Sequence, residues 1–298
     1  MRAPSVVRFV LAIAIVISGL ALHHLPTLAA VCLGETVTIT GAGTIAGTTG
    51  DDVILGSNRG DTISGNGGVD VICSGPGNDK IILGIAGATA NQVDAGDGND
   101  DVTGGNGPDF LSGGAGNDKL RGSDGSDSLS GGPGDDSLTG ELGVDFISGE
   151  AGVDKLVGGD GDDQFGGGDG NDRIYGQAGN DSMAGDAGND SFSANEGNDI
   201  LSGGDGNDKL VTGSGDDVVD GGAGDDRMYG EDGADTLRGD DGDDYGSGNA
   251  GKDKVIGGPG NDELNGGNDD DSVGTRFIAT KSIRNSTDEE PGDDILNG

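Results

Sequence analysis

The sequence predicts an all-β solenoid: a chain wound into coils, with two nine-residue repeats in each coil. Three observations predict it. Nineteen units run without a frame slip from Ala95 to Asn265, one of them being Gly113-Gly114-Ala115-Gly116-Asn117-Asp118-Lys119-Leu120-Arg121. All nineteen carry Gly at position 4, from Gly98 to Gly260, and Asp at position 6, from Asp100 to Asp262; eighteen carry an apolar residue at position 8, Gly246 being the exception. Composition rules out an ordinary globular core, since 67 of 298 residues are Gly, 3% are aromatic, Trp is absent and the net charge is −39. Low hydrophobicity at such charge normally means disorder. Here the few apolar residues share one register and can line a thin core once the chain coils.

Residues 1–30 read as a secretory signal. Arg2 and Arg8 give a basic start, Phe9 to Leu22 is an apolar run shorter than the ~20 residues that span a bilayer, and Pro26, Ala29 and Ala30 suggest cleavage near Ala30. The competing reading is an uncleaved anchor. Residues 31–46, with the alternating Val37-Thr38-Ile39-Thr40, read as an N-terminal cap strand over the open end of the coil. A first repeat block occupies 47–82, with Ile54, Ile63, Ile72 and Ile81 at position 8 and Arg59 in place of Gly at position 4 of its second unit. Residues 83–94 break the frame. They read as a three-residue bulge, Leu83 to Ile85, followed by a degenerate unit with Asn91 at position 6 and Val93 at position 8. The main roll is 95–274, its last unit decayed but keeping Asp271 and Val273. Residues 275–288 leave the pattern, and 289–298 hold a terminal partial repeat with Gly292, Asp294 and Leu296 in register.

Each position has a physical task. Positions 7 to 9 form a strand in which 8 points one way and 7 and 9 the other. Position 8 therefore faces the core, and Phe165, Met183, Phe192 and Met228 are core fillers there. Position 7 faces outward and is often basic: Lys119, Lys155, Arg173, Lys209, Arg227 and Lys254. The remaining positions must reverse the chain. Gly permits positive φ, and Asn or Asp at position 5 tolerates left-handed geometry. Coils stack ~4.8 Å apart, which sets the Asp of one unit above the Asp two units away. Two such carboxylates repel by ~3.5 kcal/mol at an effective dielectric of ~20. A hard divalent cation between coils resolves the conflict. Calcium takes 6–8 oxygens in flexible geometry, so backbone carbonyls can complete its shell, whereas magnesium demands a tight octahedron.

The pattern G-G-x-G-x-D-x-U-x, with U apolar, resembles the RTX, or haemolysin-type, calcium-binding repeat. The resemblance covers roughly 47–273 and 289–297. It implies a right-handed parallel β-roll, export from a bacterium, and several calcium ions held by the position-6 aspartates. Carried over residue by residue, the metal ligands are Asp52, Asp61, Asp70 and Asp79 in the first block, and Asp100, Asp109, Asp118, Asp127, Asp136, Asp145, Asp154, Asp163, Asp172, Asp181, Asp190, Asp199, Asp208, Asp217, Asp226, Asp235, Asp244, Asp253 and Asp262 in the main roll. Many relatives attach their repeats to a protease, lipase or pore-forming segment, and no such segment is visible here.

The sequence also excludes. The only histidines, His23 and His24, lie in the signal, so the exported chain has none. That removes Ser-His-Asp and Cys-His catalysis and His-ligated zinc. Without the signal's two arginines the charge is −41, and so acidic a chain is not expected to bind nucleic acid. Cys32 and Cys73 fit either a disulfide or two thiols in a reducing compartment, and the export segment favours the bridge. The expected protein is not an enzyme. It is a secreted, extracellular module that folds on binding calcium and has a structural, adhesive or cell-surface role, its partner unspecified, with no stable membrane insertion after cleavage. A polysaccharide-acting enzyme, or an accessory module of one, is the alternative. Ice binding would need a row of Thr, and position 3 has none in the long block.

Overall fold

The computed structural model describes residues 31–84 and 90–274, together with the backbone of 282–284 and 295–297. The expected signal at 1–30 and most of 275–298 lie outside the described residues. From Ile39 onward the described strands alternate between two parallel sheets, one of 14 strands and one of 15, with consecutive strands in opposite sheets. We call the sheet containing Lys119–Asp124 the first sheet and that containing Phe110–Ala115 the second. Within a sheet most strands pair with the one 18 residues on, as in Leu120 with Leu138 and Leu138 with Leu156. Two nonapeptides therefore make one coil, as the repeat predicts. Among the described residues no helix is long and apolar enough to cross a membrane.

Most strands in the main roll span six residues, positions 7 to 9 and then 1 to 3, rather than three. Two residues of each face inward: position 8, which supplies the core, and position 1. Position-8 residues from Ile45 to Val273 form one continuous buried cluster, including Phe165, Met183, Phe192 and Met228. Each fully buried aliphatic side chain contributes about 1.5–3 kcal/mol. At Gly246 the missing side chain leaves no void. A Cβ there would stand 2.8 Å from Val255 Cγ1 and 3.4 Å from Leu264 Cδ2.

The irregular segments are drawn into the same architecture. Val31–Cys32 and Glu35–Thr36 form a short antiparallel hairpin. A disulfide joins Cys32 to Cys73, with Cα atoms 5.7 Å apart, so the bridge is formed and ties the entry strand to the third repeat. Ile39–Thr40 and Thr44–Ala46 already pair with the solenoid strands, the latter at the regular offset, Ile45 beside Ile63. At the frame break the offset grows to 21, with Val71 beside Gln92 and Lys80 beside Asp101. Leu83 and Gly84 continue their strand, Leu83 is buried, and Gly84 pairs with Gly105. The three extra residues therefore fall after Gly84, not from Leu83 onward. Near the C-terminus the backbone of Ser282–Arg284 pairs with Glu263–Asn265, and that of Ile295–Asn297 with Ser272–Gly274. Strand pairing thus resumes within 275–288.

Candidate metal centre in the aspartate columns

Stacking the coils puts the position-6 residues into two columns, one at the entrance to each sheet. Their side chains turn inward, and all 23 expected ligands, Asp52 through Asp262, are buried. Each carboxylate's two oxygens have separate tasks. Oδ1 accepts the N–H of the position-6 residue one coil earlier: Asp118 N–H reaches Asp136 Oδ1 at 2.7 Å, Asp136 N–H reaches Asp154 Oδ1 at 2.7 Å, and Asp244 N–H reaches Asp262 Oδ1 at 3.1 Å. The ladder crosses the frame break, with Asp79 N–H on Asp100 Oδ1 at 2.7 Å. Asn91 keeps the other column continuous, its Oδ1 accepting Asp70 N–H at 2.9 Å. Asp271, named in the decayed unit but not among the expected ligands, serves in the same way for Asp253 at 2.9 Å.

Oδ2 behaves differently. In twenty of the 23 aspartates it is buried with no hydrogen-bond partner; the exceptions are Asp52, Asp61 and Asp109. In those three it accepts the N–H at position 2 of its own unit, from Thr48 at 2.5 Å, Ser57 at 2.7 Å and Gly105 at 2.8 Å. The backbone explains the split. Position 2 has positive φ wherever Oδ2 is left open, even where it is not Gly, as in Glu141, Glu150, Gln177 and Glu231. Thr48, Ser57 and Gly105 do not have positive φ. The turn thus has two states. A position 2 without positive φ donates to the carboxylate and closes it, while a left-handed position 2 makes no such bond and leaves it open. A β-branched Thr resists left-handed geometry, which suits Thr48 to the closed state.

Glycine at positions 1 and 4 follows from the same geometry. A Cβ at Gly113 would land on Asp118 Oδ2, so position 1 is an inward site whose space the carboxylate fills. A Cβ at Gly116, where φ is +134°, would land on the Gly98 carbonyl, so position-4 carbonyls point along the stack at the next coil. Position 5 departs from the expected role. Its residues are not left-handed; their side chains instead accept the position-5 N–H of the next coil, as Asn171 Oδ1 does from Asn189 at 2.7 Å. The preference for Asn and Asp there signals this second ladder.

Burial pushes the Asp127, Asp136, Asp163, Asp190, Asp235 and Asp244 carboxyls up to about 7, and the carboxylates one coil above and below push the same way, against the lowering effect of the backbone N–H. At Asp61 burial also raises the pKa, but bonds from Gly43 N–H and from Ser57 outweigh it and the net shift is downward. Open turns therefore hold carboxylates short of a positive partner, while a closed turn does not. A hard cation fits the open turns. Each would offer Oδ2 and the carbonyls of its Gly-rich segment. Among the described residues no three or more His, Cys, Asp or Glu side chains converge, so a 6–8-oxygen shell would draw largely on the backbone.

The family model of the RTX calcium-binding nonapeptide repeat matches residues 40–81 and, in overlapping copies, 85–273. The chain belongs to this family. It is an RTX calcium-binding protein built as a parallel β-solenoid. Among solved structures it is similar to a hyperactive, Ca2+-dependent, β-helical antifreeze protein from an Antarctic bacterium, at 20% identity and a TM-score of 0.45, over 86% of this chain and 96% of that one. No curated protein matches the chain.

Proposed function

We propose that this RTX protein is an exported calcium-dependent scaffold, not an enzyme, with a structural or adhesive role at a cell surface. Its open turns are the calcium sites. The observation that carries this is the set of twenty buried Oδ2 atoms without a partner. Each such atom costs about 1–3 kcal/mol or more, and together they exceed the 5–15 kcal/mol by which proteins are stable. Cations at the columns remove that cost. Successive open aspartates make ten pairs from Asp79 to Asp262 and seven from Asp127 to Asp253. One ion per pair gives ~17 calcium ions, or ~+34 against a charge near −41. The basic, apolar segment 1–30 supports export, and the disulfide suits an oxidising destination.

Circular dichroism with calorimetric calcium titration tests this. The chain is expected to be disordered in chelator and folded in millimolar calcium, the range of extracellular modules, with ~17 ions bound. The same folded spectrum in chelator and in calcium would refute it.

A further inference from the structure

The outward faces of the two sheets are unlike. On the first sheet, positions 7 and 9 from Lys119 to Ser247 hold six cations, Lys119, Arg121, Lys155, Arg173, Lys209 and Arg227, and no carboxylate. On the second sheet, the same positions from Phe110 to Val218 hold no cation. Arg121 pairs with Glu141, and the other five cations make no ion pair among the described residues. All five are exposed. Lys155 lies directly beside Arg173 in the register, and Lys209 beside Arg227. Like charges opposite one another destabilise a sheet. A chain with 55 acidic and 16 basic residues could have paired every cation, yet here cation stacks on cation. Tyrosines are interleaved with them. Lys155 Nζ stands 5.9 Å over the Tyr175 ring, and Tyr229 and Tyr245 lie with ring centroids 5.5 Å apart.

We propose that this face binds an extended anionic polysaccharide lying along the solenoid axis. The row from Lys119 to Arg227 crosses six coil steps, ~29 Å at ~4.8 Å per coil. That step is close to the advance of one pyranose residue along its chain, so charges on neighbouring or alternate sugars meet the cations, which stand one coil apart at Lys155 and Arg173 and at Lys209 and Arg227, and two coils apart at Lys119 and Lys155 and at Arg173 and Lys209. The tyrosine rings offer amphipathic platforms for sugar faces. A polynucleotide is disfavoured, because its phosphates advance further per residue than the coils do. The inference rests on the calcium reading in one respect: ions at the aspartate columns cancel most of the chain's negative charge, so that the cation row faces only the carboxylates that share its strands, such as Glu141 and Glu231.

The test uses the full chain in millimolar calcium. Calorimetry is run against hyaluronan for carboxylate, dextran sulfate for sulfate, unmodified dextran, and single-stranded oligothymidylate of matched charge. At least one anionic polysaccharide is expected to bind, more weakly as salt rises, and neutral dextran is not. The exposed combination Lys155→Gln, Arg173→Gln, Lys209→Gln and Arg227→Gln is expected to weaken binding about tenfold or more, while Phe146→Ser on the opposite sheet leaves it unchanged. The proposal is overturned if neither anionic polysaccharide binds, if the quadruple variant binds as tightly as the parent, or if oligothymidylate binds as tightly as the sugars. Circular dichroism on the same samples reports calcium-dependent folding separately. Failure of the parent chain to bind either anionic polysaccharide, with an intact calcium-induced spectrum, counts against the face alone, and a spectrum indifferent to calcium counts against the calcium reading alone.

Discussion

Replacing Asp190 by Asn keeps the shape of an open turn and removes its charge. The amide Oδ1 can still accept Asp172 N–H, a bond of 2.7 Å. Asn91 shows that an amide fits such a column: its Oδ1 accepts Asp70 N–H at 2.9 Å and its Nδ2 donates to Asp109 Oδ1 at 2.7 Å. Asp190 is buried, and its carboxyl is raised from 3.8 to about 7. At ~1.4 kcal/mol per unit, removing the charge relieves the calcium-free fold of at most about 4 kcal/mol above neutral pH. An Nδ2 without an acceptor costs about 1–3 kcal/mol, so the net gain in chelator is about 1–3 kcal/mol. Calcium reverses the sign. Asp190 borders two pairs, with Asp172 and with Asp208, and an ion held at a hundred times its Kd stabilises the fold by about 2.7 kcal/mol. Losing one or two ions therefore removes about 3–5 kcal/mol, which against the gain in the calcium-free fold leaves a net loss of about 2 kcal/mol. Asp190→Asn should melt lower than the parent in saturating calcium, bind one or two fewer ions, and be at least as ordered in chelator. An unchanged ion count, or equal destabilisation with and without calcium, would show that Asp190 serves only the backbone ladder.

Asp61→Asn should behave in the opposite way. Its Oδ2 already accepts Ser57 N–H at 2.7 Å, so an amide there sets donor against donor. The expected result is a loss of about 1–3 kcal/mol in thermal melts and an unchanged calcium count by calorimetry. Proton and calcium compete for the open carboxylates. Because their folded pKa values lie above the unfolded 3.8, the calcium-free fold holds extra protons between about pH 4 and 7. That stabilisation is complete below about pH 4 and is lost as pH rises through about 7. Calcium affinity should fall, and proton release on binding should grow, as pH drops from about 7.5 to about 5; titrations giving one affinity across that range would contradict it. Cys32→Ser with Cys73→Ser opens a loop with a sequence separation of 41 and should cost about 4 kcal/mol in the chain-entropy model. Melts of the oxidised and double-Ser proteins that coincide would contradict a stabilising bridge.

The nonapeptide made the coil, the two-unit period and the inward position 8 legible, because each depends on spacing alone. It also placed the aspartates in columns, since an 18-residue coil stacks every second unit. What it hid is the direction of the carboxylate. The spacing of Gly113 and Asp118 does not show that Asp118 folds back over Gly113, because that contact depends on the left-handed turn at Gly114 between them. The strand therefore read as three residues long, position 1 being inward with no apolar side chain to announce it. Thr44–Ala46 read as a cap because Gly43 stands where a repeat has Asp, although its N–H still donates to Asp61 Oδ1.

The two turn states carry a consequence for how the solenoid assembles. The first two aspartate turns of the first block, those of Asp52 and Asp61, are closed, and each satisfies its carboxylate from its own backbone, while Asp70, the third turn inside the Cys32–Cys73 loop, is open. Every aspartate turn after them but that of Asp109 leaves an oxygen open through Asp262. In a solenoid each coil contacts only its neighbours, so a preformed end templates the next coil. The first two turns, held in the bridged loop, need no ion to satisfy their aspartates, whereas each later coil does. Calcium-driven folding is therefore expected to start at the N-terminal end and run toward Asp262. Hydrogen exchange at limiting calcium should protect Ile54 and Ile63 before Leu237 and Leu264, and protection appearing first at the C-terminal coils would refute that order.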